Sequence, residues 1–201
     1  MTDYLTSAEL KATLELTGET FADDDVSLAI TSASRAIDNI CSRRFYLDAD
    51  STSVRFYTAR NHRIIEIDDL VTFTSLEMDI NGDGVYEDTW VEDTDFVFEP
   101  FNAVADGEPF TVIRRRRLGT FRMPTWIERG VRLTGQFGWA AVPSEVKSAT
   151  GILAARLISR SREAPFGVIG FGMDTANAVQ IARTDPDVQM LVAPYVKKLM
   201  L

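Results

Sequence analysis

Apolar residues recur at three- and four-residue intervals near both ends of the chain and at two-residue intervals between them. Leu10 and Leu14 share one face of a helix predicted over 7–16. Thr6 and Glu9 stand ahead of it at capping-box spacing, where hydroxyl and carboxylate satisfy each other's backbone N–H groups. Leu5 and Leu10 occupy the matching staple positions, and Gly18 is the expected stop. A second helix starts at Asp23-Asp24-Asp25, which supply an N-cap and negative charge. It continues through Val26, Ile30, Ala33, Ile37 and Ile40, spaced 4-3-4-3, and is closed by Arg43 and Arg44.

From about 45 to 139 the period becomes two. Val54 and Phe56 alternate with polar residues, as do Val71 and Phe73, then Leu76, Met78 and Ile80. Phe96 and Phe98, Phe110 and Val112, and Val131 and Leu133 repeat the pattern. Broken by Asn-Gly, Asp-Gly and Pro, these segments predict an antiparallel β region. Helices return at 143–162, with Pro143 in the first turn and Val146, Ala149, Leu153 and Leu157 at helical spacing. A loop with Gly167, Gly170 and Gly172 follows, then a short strand over Ala178–Ala182. Asp185-Pro186-Asp187 starts a last helix that carries Val188, Leu191, Val192 and Tyr195, which Pro194 should kink or shorten. The fold class is α+β: a helical core of about four helices with an inserted antiparallel β region. No repeat or low-complexity linker interrupts the chain, so one domain is expected over 1–201: helical in 1–46, β in 47–140 and helical in 141–201.

Composition narrows the function classes. Of 201 residues, 45% are hydrophobic and 25% charged, as in ordinary globular proteins. The formal charge of −9 argues against a dedicated nucleic-acid binder, whose phosphate contacts are carried by Lys and Arg. One Cys, Cys41, excludes an intramolecular disulfide and any Cys-rich zinc site. One His, His62, excludes a two-histidine metal site. No apolar run is long enough for a membrane-spanning helix. Met1-Thr2-Asp3-Tyr4 lacks a signal-peptide profile, so synthesis in a reducing cytoplasm is expected. The charge is also segregated. It is −3 over residues 1–63, −14 over 64–113, which hold no Lys or Arg, and +8 over 114–201.

Three constellations stand out. Asp79, Asn81 and Asp83, followed by Gly84, match the D-x-N-x-D-G opening of a calcium loop, but Trp90 stands where an EF-hand has its bidentate Glu. The same residues suit a hairpin turn with left-handed backbone, and both readings stand. Arg114, Arg115, Arg116 and Arg117 form a basic run. Strand alternation sends two to each face, where they are expected to meet the acidic 64–113 segment, within a subunit or on a neighbour. Cys41 lies beside Ile37 and Ile40 and reads as a buried thiol, while His62 reads as a surface residue near a strand start. The three glycines of 167–172 follow a helix and lack a Gly-Lys-Ser/Thr, so they form no phosphate loop. No G-x-S-x-G, H-E-x-x-H or H-x-E pattern is present.

The two ends together resemble tailed-phage head–tail connector (adaptor) proteins that dock beneath the portal. The residues that carry this are Tyr4-Leu5-Thr6-Ser7-Ala8-Glu9-Leu10-Lys11, Asp23-Asp24-Asp25 and Ile40-Cys41-Ser42-Arg43-Arg44-Phe45 at one end. At the other they are Gly138-Trp139-Ala140-Ala141-Val142-Pro143-Ser144-Glu145-Val146-Lys147, Ala154-Ala155-Arg156-Leu157, Gly170-Phe171-Gly172 and Arg183-Thr184-Asp185-Pro186-Asp187-Val188. The resemblance covers roughly 1–46 and 130–196 and implies a non-enzymatic virion protein without a cofactor. It further implies a homo-oligomeric ring, twelvefold on the portal protein, that lets DNA through its channel without specific binding and recruits the next neck protein. The implied location is the virion neck, after synthesis in the host cytoplasm. In the family the C-terminal segment grips the portal, which here means Asp185, Asp187, Tyr195, Lys197 and Lys198. The alternatives are a tail-side neck protein, as stopper or terminator, and a calcium-binding module or acid–acid hydrolase on the β region.

Overall fold

A computed structural model describes residues 2–13, 22–117, 122–163 and 185–197. Contacts divide the chain into two compact units, residues 1–45 with 142–201 and residues 46–141. The class is α+β, with a six-stranded antiparallel sheet in the second unit and helices in the first. No helix among the described residues is long and apolar enough to cross a membrane.

In the first unit, α1 spans Ser7–Thr13, α2 Asp23–Cys41 and α4 Ser144–Glu163, with α5 over Pro186–Val192. The capping box forms as its spacing predicts: Thr6 N–H donates to Glu9 Oε2 (2.7 Å) and Glu9 N–H to Thr6 Oγ1 (3.2 Å). The expected Leu14 face and Gly18 stop lie outside the described residues. So do the glycine loop of 167–172 and the strand over Ala178–Ala182. The N-cap of α2 is Ala22 rather than an aspartate, and it makes no side-chain cap bond. Asp23, Asp24 and Asp25 all sit inside the first turn, where they act on the helix dipole instead. The helix ends at Cys41 because Ser42 turns left-handed (φ 53°), so Arg43 and Arg44 lie beyond its last turn. Pro143 likewise stands one residue before α4 and accepts the Lys147 N–H at 3.0 Å.

The buried stripe of α2 is broader than the apolar positions alone suggest. Ala29, Ser32, Ser34 and Ala36 are buried along with Val26, Ile30, Ala33 and Ile37. Small side chains let α2 lie close to α4, whose Ala149, Thr150 and Ala154 are also fully buried. The polar members close their own bonds: Ser34 Oγ donates to Ile30 O, and Thr150 Oγ1 to Val146 O, both at 2.8 Å. Cys41 is fully buried, and burial pushes its thiol up to about 12, which makes it a packing residue.

In the second unit the strands are β1 (Ser53–Tyr57), β2 (Ile64–Met78), β3 (Asp88–Trp90), β4 (Phe96–Glu99), β5 (Phe110–Arg115) and β6 (Val131–Phe137). Their order is β1-β6-β2-β5-β4, with β3 added to the far end of β2. Val71 to Met78 belong to one long strand that starts at Ile64, and β3, with its buried Trp90, has no alternation to announce it. A single helical turn, α3 (Ala103–Asp106), joins β4 to β5. The β2 strand pairs with β5 through its first half and β6 through its second, and register shifts between Glu66 and Leu70, Leu70 and Thr72, and Phe73 and Ser75 bend it. His62 is exposed two residues ahead of this strand.

The face of β1 differs from expectation. Val54 and Phe56 point outward, while Tyr57 packs on the core of Ile67, Leu70, Leu76, Phe96, Ile113, Leu133 and Phe137. Register decides this: Arg55 lies opposite Leu133 and Tyr57 opposite Val131, both buried, so the odd-numbered residues of β1 face inward. Arg55 is tolerated there because its guanidinium lies 4.0 Å from the Phe137 ring centroid and pairs with Asp48 (2.6 Å) and Asp68 (2.9 Å).

Gly135 sits where the bulged β2 strand presses in. A Cβ there would collide with Thr72 O and stand 2.8 Å from Leu70 Cδ1. Gly135→Ala should therefore cost about 1–3 kcal/mol, the usual penalty of overpacking. Urea denaturation followed by tryptophan fluorescence checks this, and an unchanged midpoint would contradict the packing described.

Candidate functional site

The Arg run is engaged within its own chain. Arg114 reaches across to Glu99, with Nε at 2.5 Å and a second nitrogen at 3.0 Å, and this bond raises its pKa. Such an exposed pair contributes about 0.2–1 kcal/mol. Arg115 N–H donates to Arg63 O at 2.8 Å, which brings Arg63 beside the run. The Arg116 guanidinium bonds the Asp93 carbonyl, and its N–H donates to Asp95 O. Arg117 is exposed. Arg114 and Arg116 thus reach the acidic segment of their own chain.

In the Asp79 loop, the aspartate accepts Gly82 N–H (2.7 Å) and Gly84 N–H (2.9 Å) on separate oxygens. Asn81 Oδ1 accepts Asp83 N–H, Asp83 Oδ1 accepts Val85 N–H, and Asn81 Nδ2 donates to Glu87. Gly82 and Gly84 take φ of 81° and 86°. Burial alone would raise the Asp79 pKa, but the converging backbone N–H groups outweigh it and hold the carboxyl below its ordinary value. Each residue type in the motif thus has a role in the turn itself. No group of three or more His, Cys, Asp or Glu is arranged to hold a metal among the described residues.

The C-terminal positions are drawn into the helical unit. Asp185, 2% exposed, caps α5 by accepting from Asp187 N–H (3.0 Å) and Val188 N–H (3.4 Å), and it pairs with Arg156. Asp187 reaches Arg156 at 3.4 Å. Pro194 falls in a 3₁₀ turn, Ala193–Tyr195, that ends α5 as its ring predicts. Tyr195 donates to Glu145 (3.0 Å) and packs edge-on against Phe45, and Lys197 N–H donates to Cys41 O. Lys198 lies outside the described residues.

Several residues that carry the family resemblance prove to be structural. Tyr4 is buried. Its hydroxyl donates to Asp38 and accepts Phe45 N–H at 2.9 Å, and its ring meets Phe45 edge-on. Burial, then the Asp38 bond, raises the phenol's pKa, and burial also raises that of Asp38. In the β unit, Trp139 Nε1–H donates to Asp69 Oδ2 at 3.0 Å. Gly138, at φ 114°, lies so close to Tyr46 O that a Cβ would collide with it.

Two surface features had no signal in the sequence pattern. One is an aromatic and arginine face near β1. The Arg129 guanidinium lies 4.1 Å from the Phe56 ring centroid and that of Arg132 4.2 Å from the Tyr86 centroid, while Tyr86 hydroxyl donates to Arg129 O. Arg132 also pairs with Glu77 opposite it on β2 (2.6 Å). The other feature is the α3 turn, whose Phe101 and Val104 are 70% and 77% exposed. Only the misassigned face of β1 could have pointed to the first. Nothing in the periodicity marks the second.

No family model matches the chain, and no curated protein does. Among solved structures, a chain in the neck of an empty gene transfer agent (GTA) particle, computed with C6 symmetry, shares the fold. The likeness covers 98% of this chain and 92% of that one, at 19% identity and a TM-score of 0.55. A chain of the native GTA virion matches over 88% of each chain, at 18% identity and a TM-score of 0.48.

Two outcomes are expected. Calcium titration by calorimetry gives no binding heat, because the loop's oxygens already serve its own N–H groups; a saturable heat abolished by Asp83→Ala would reverse that reading. In acid, the carboxyls of Glu9, Asp79 and Glu145, held low by hydrogen bonds, must be protonated. Groups with depressed folded pKa stabilise the fold above their unfolded values and lose that contribution as pH falls. Thermal midpoints should therefore fall below the ordinary values of 4.5 for Glu and 3.8 for Asp, with raised Asp38 acting in the opposite sense. Scanning calorimetry across pH 2–6 checks the sign.

Proposed function

We propose that this chain is a structural connector in the neck of a tailed phage or phage-like particle. It assembles as a ring beneath the portal protein, extends the DNA channel and recruits the next neck protein. The observation that carries the reading is the shared fold, over nearly the whole length of both chains, with a neck component of a GTA particle. The ordered motif string at the two ends supports it independently. A C6 calculation is compatible with six subunits or with twelve, and the portal-matched twelvefold ring is the arrangement proposed.

The chemistry fits a conduit. A net charge of −9 disfavours phosphate binding, so DNA passes without being held. The role is non-enzymatic, and Cys41 is withdrawn into the core with a raised pKa. Portal docking is assigned to the C-terminal end of the helical unit. Asp185 and Tyr195 shape that end from within, while Asp187 and Met190 stand exposed on α5, with Lys197 and Lys198 following. The protein is made in the host cytoplasm and resides in the virion neck.

The test is incubation of the purified chain with portal-bearing capsids that lack neck proteins, followed by cryo-electron microscopy. Twelvefold density in direct contact with the portal is expected. Absence of binding would overturn the proposal. Density separated from the portal by another ring would assign the chain to the tail side, as a stopper or terminator.

A further inference from the structure

The two surface features that sequence periodicity left unmarked are complementary, and they lie at opposite ends of the strand order. At the β1 end, Val54 and Phe56 point outward from an edge strand, 51% and 39% exposed. Tyr86 lies beside Phe56, ring centroids 6.1 Å apart, under the guanidinium of Arg132, and the Arg129 guanidinium covers the Phe56 ring. The loop 126–129 borders this face: Arg129 N–H donates to Thr58 Oγ1 (3.1 Å) and Trp126 N–H to Ala59 O (2.8 Å). Trp126 is 74% exposed. Trp126 and Arg129 both hold left-handed backbone, at φ 67° and 56°, which costs free energy for residues with a Cβ. The stretch 122–132 carries Arg122, Arg129 and Arg132 against Glu128, and with Arg132 paired to Glu77 the cation laid over the outward Phe56 ring is Arg129. Exposed Trp126, Phe56 and Arg129 beside a half-buried Tyr86 have the composition of an interface hot spot.

At the β4–β5 end, Phe101, two residues ahead of α3, and Val104 within it are both largely exposed. The turn is firmly built. Ala103 is fully buried, its N–H donates to Pro100 O (3.1 Å), its carbonyl accepts Glu108 N–H (2.8 Å), and Gly107 closes the turn at φ 71°. Around the two apolar side chains stand Asp106 and Glu108, both exposed, and no Lys or Arg occurs from 99 to 109. A knob that is apolar and acidic thus stands at one end of the strand order, and an aromatic face carrying Arg129 at the other.

We infer that the α3 knob of one copy docks on the Phe56–Tyr86–Trp126–Arg129 face of a second copy. The occupant is another copy because one chain carries both halves of a match in polarity and in charge. Two different patches meeting head to tail form a heterologous contact, the kind that builds a ring when the rotation between neighbours closes. The inference rests on the ring proposed above and names the surfaces that build it. The same geometry explains why Arg114 and Arg116 can be consumed within their own subunit without leaving the ring uncharged at its joints.

A charge exchange tests it. In one variant Asp106 and Glu108 become Arg; in a second Arg129 becomes Glu. All three side chains are exposed, and circular dichroism and thermal melts confirm each fold. By sedimentation velocity at low ionic strength and the highest soluble concentration, the wild type should self-associate. Each variant alone should dissociate at least tenfold more readily. An equimolar mixture should regain assembly, because the reversed knob fits the reversed face in an alternating, even-numbered ring. Phe101→Ala should weaken association comparably, and Arg129→Lys should largely retain it. Variants that assemble like the wild type, a mixture that fails to recover, or a monomeric wild type each overturn the inference. If Arg129→Glu instead loses retention of a short DNA duplex while self-association is untouched, the face is a DNA contact and the inference falls. A chain that binds portal-bearing capsids while passing none of these tests keeps the connector reading and loses this interface alone.

Discussion

An inserted unit must bring its two ends together, and in the β unit one close approach of backbone does this. The chain enters through Tyr46 and leaves through Trp139, whose N–H donates to Tyr46 O at 3.3 Å. Gly138 lies against that carbonyl too closely for any side chain, and its N–H donates to Asp69 O at 2.7 Å. The indole of Trp139 then bonds the Asp69 carboxylate, and Asp48 N–H donates to Phe137 O. Entry, exit and the middle of the long central strand are joined at one point. One of the register shifts that bend β2, between Glu66 and Leu70, falls at this tie.

This changes the meaning of the motif string. Tyr4, Phe45, the Thr6–Glu9 box, Gly138, Trp139 and Asp185 are spent on packing, capping and chain crossing. Each of them satisfies a steric or hydrogen-bond demand that few alternatives meet. They therefore report the fold. The surfaces suited to partners lie elsewhere, on the outward face of β1 and on α3, where no geometric demand writes a pattern into the chain.

The charge segregation is similarly reshaped. Antiparallel pairing sets acidic β2 and β4 beside residues of the basic half, so Glu77 meets Arg132 and Glu99 meets Arg114. Asp48 and Asp68 hold Arg55 over the Phe137 ring. Exposed pairs of this kind contribute little each. Their effect is to offset part of the apparent polarity within the subunit, while Asp106 and Glu108 by α3 stay exposed and Arg129 covers the outward Phe56 ring.

Local chemistry was legible in the chain. The capping box of α1, the amphipathic stripe of α2, the Pro143 boundary, the Asp185-Pro186 start of α5 and the α+β order all rest on interactions spanning a few residues, which sequence spacing encodes directly. The Asp79 loop was legible as a turn for the same reason. What the spacing could not decide was which face of β1 is buried, because either alternation is acceptable until β6 supplies its register. Nor could it show that Val71 and Leu76 belong to one bent strand, that Trp90 is core, or that Arg63 lies beside Arg115. Those depend on pairings between residues dozens of positions apart, and only the folded sheet sets them. The candidate interface belongs to this second class: its aromatic, cationic face is assembled from residues 54–59, 86 and 126–132, which become neighbours only when the sheet closes.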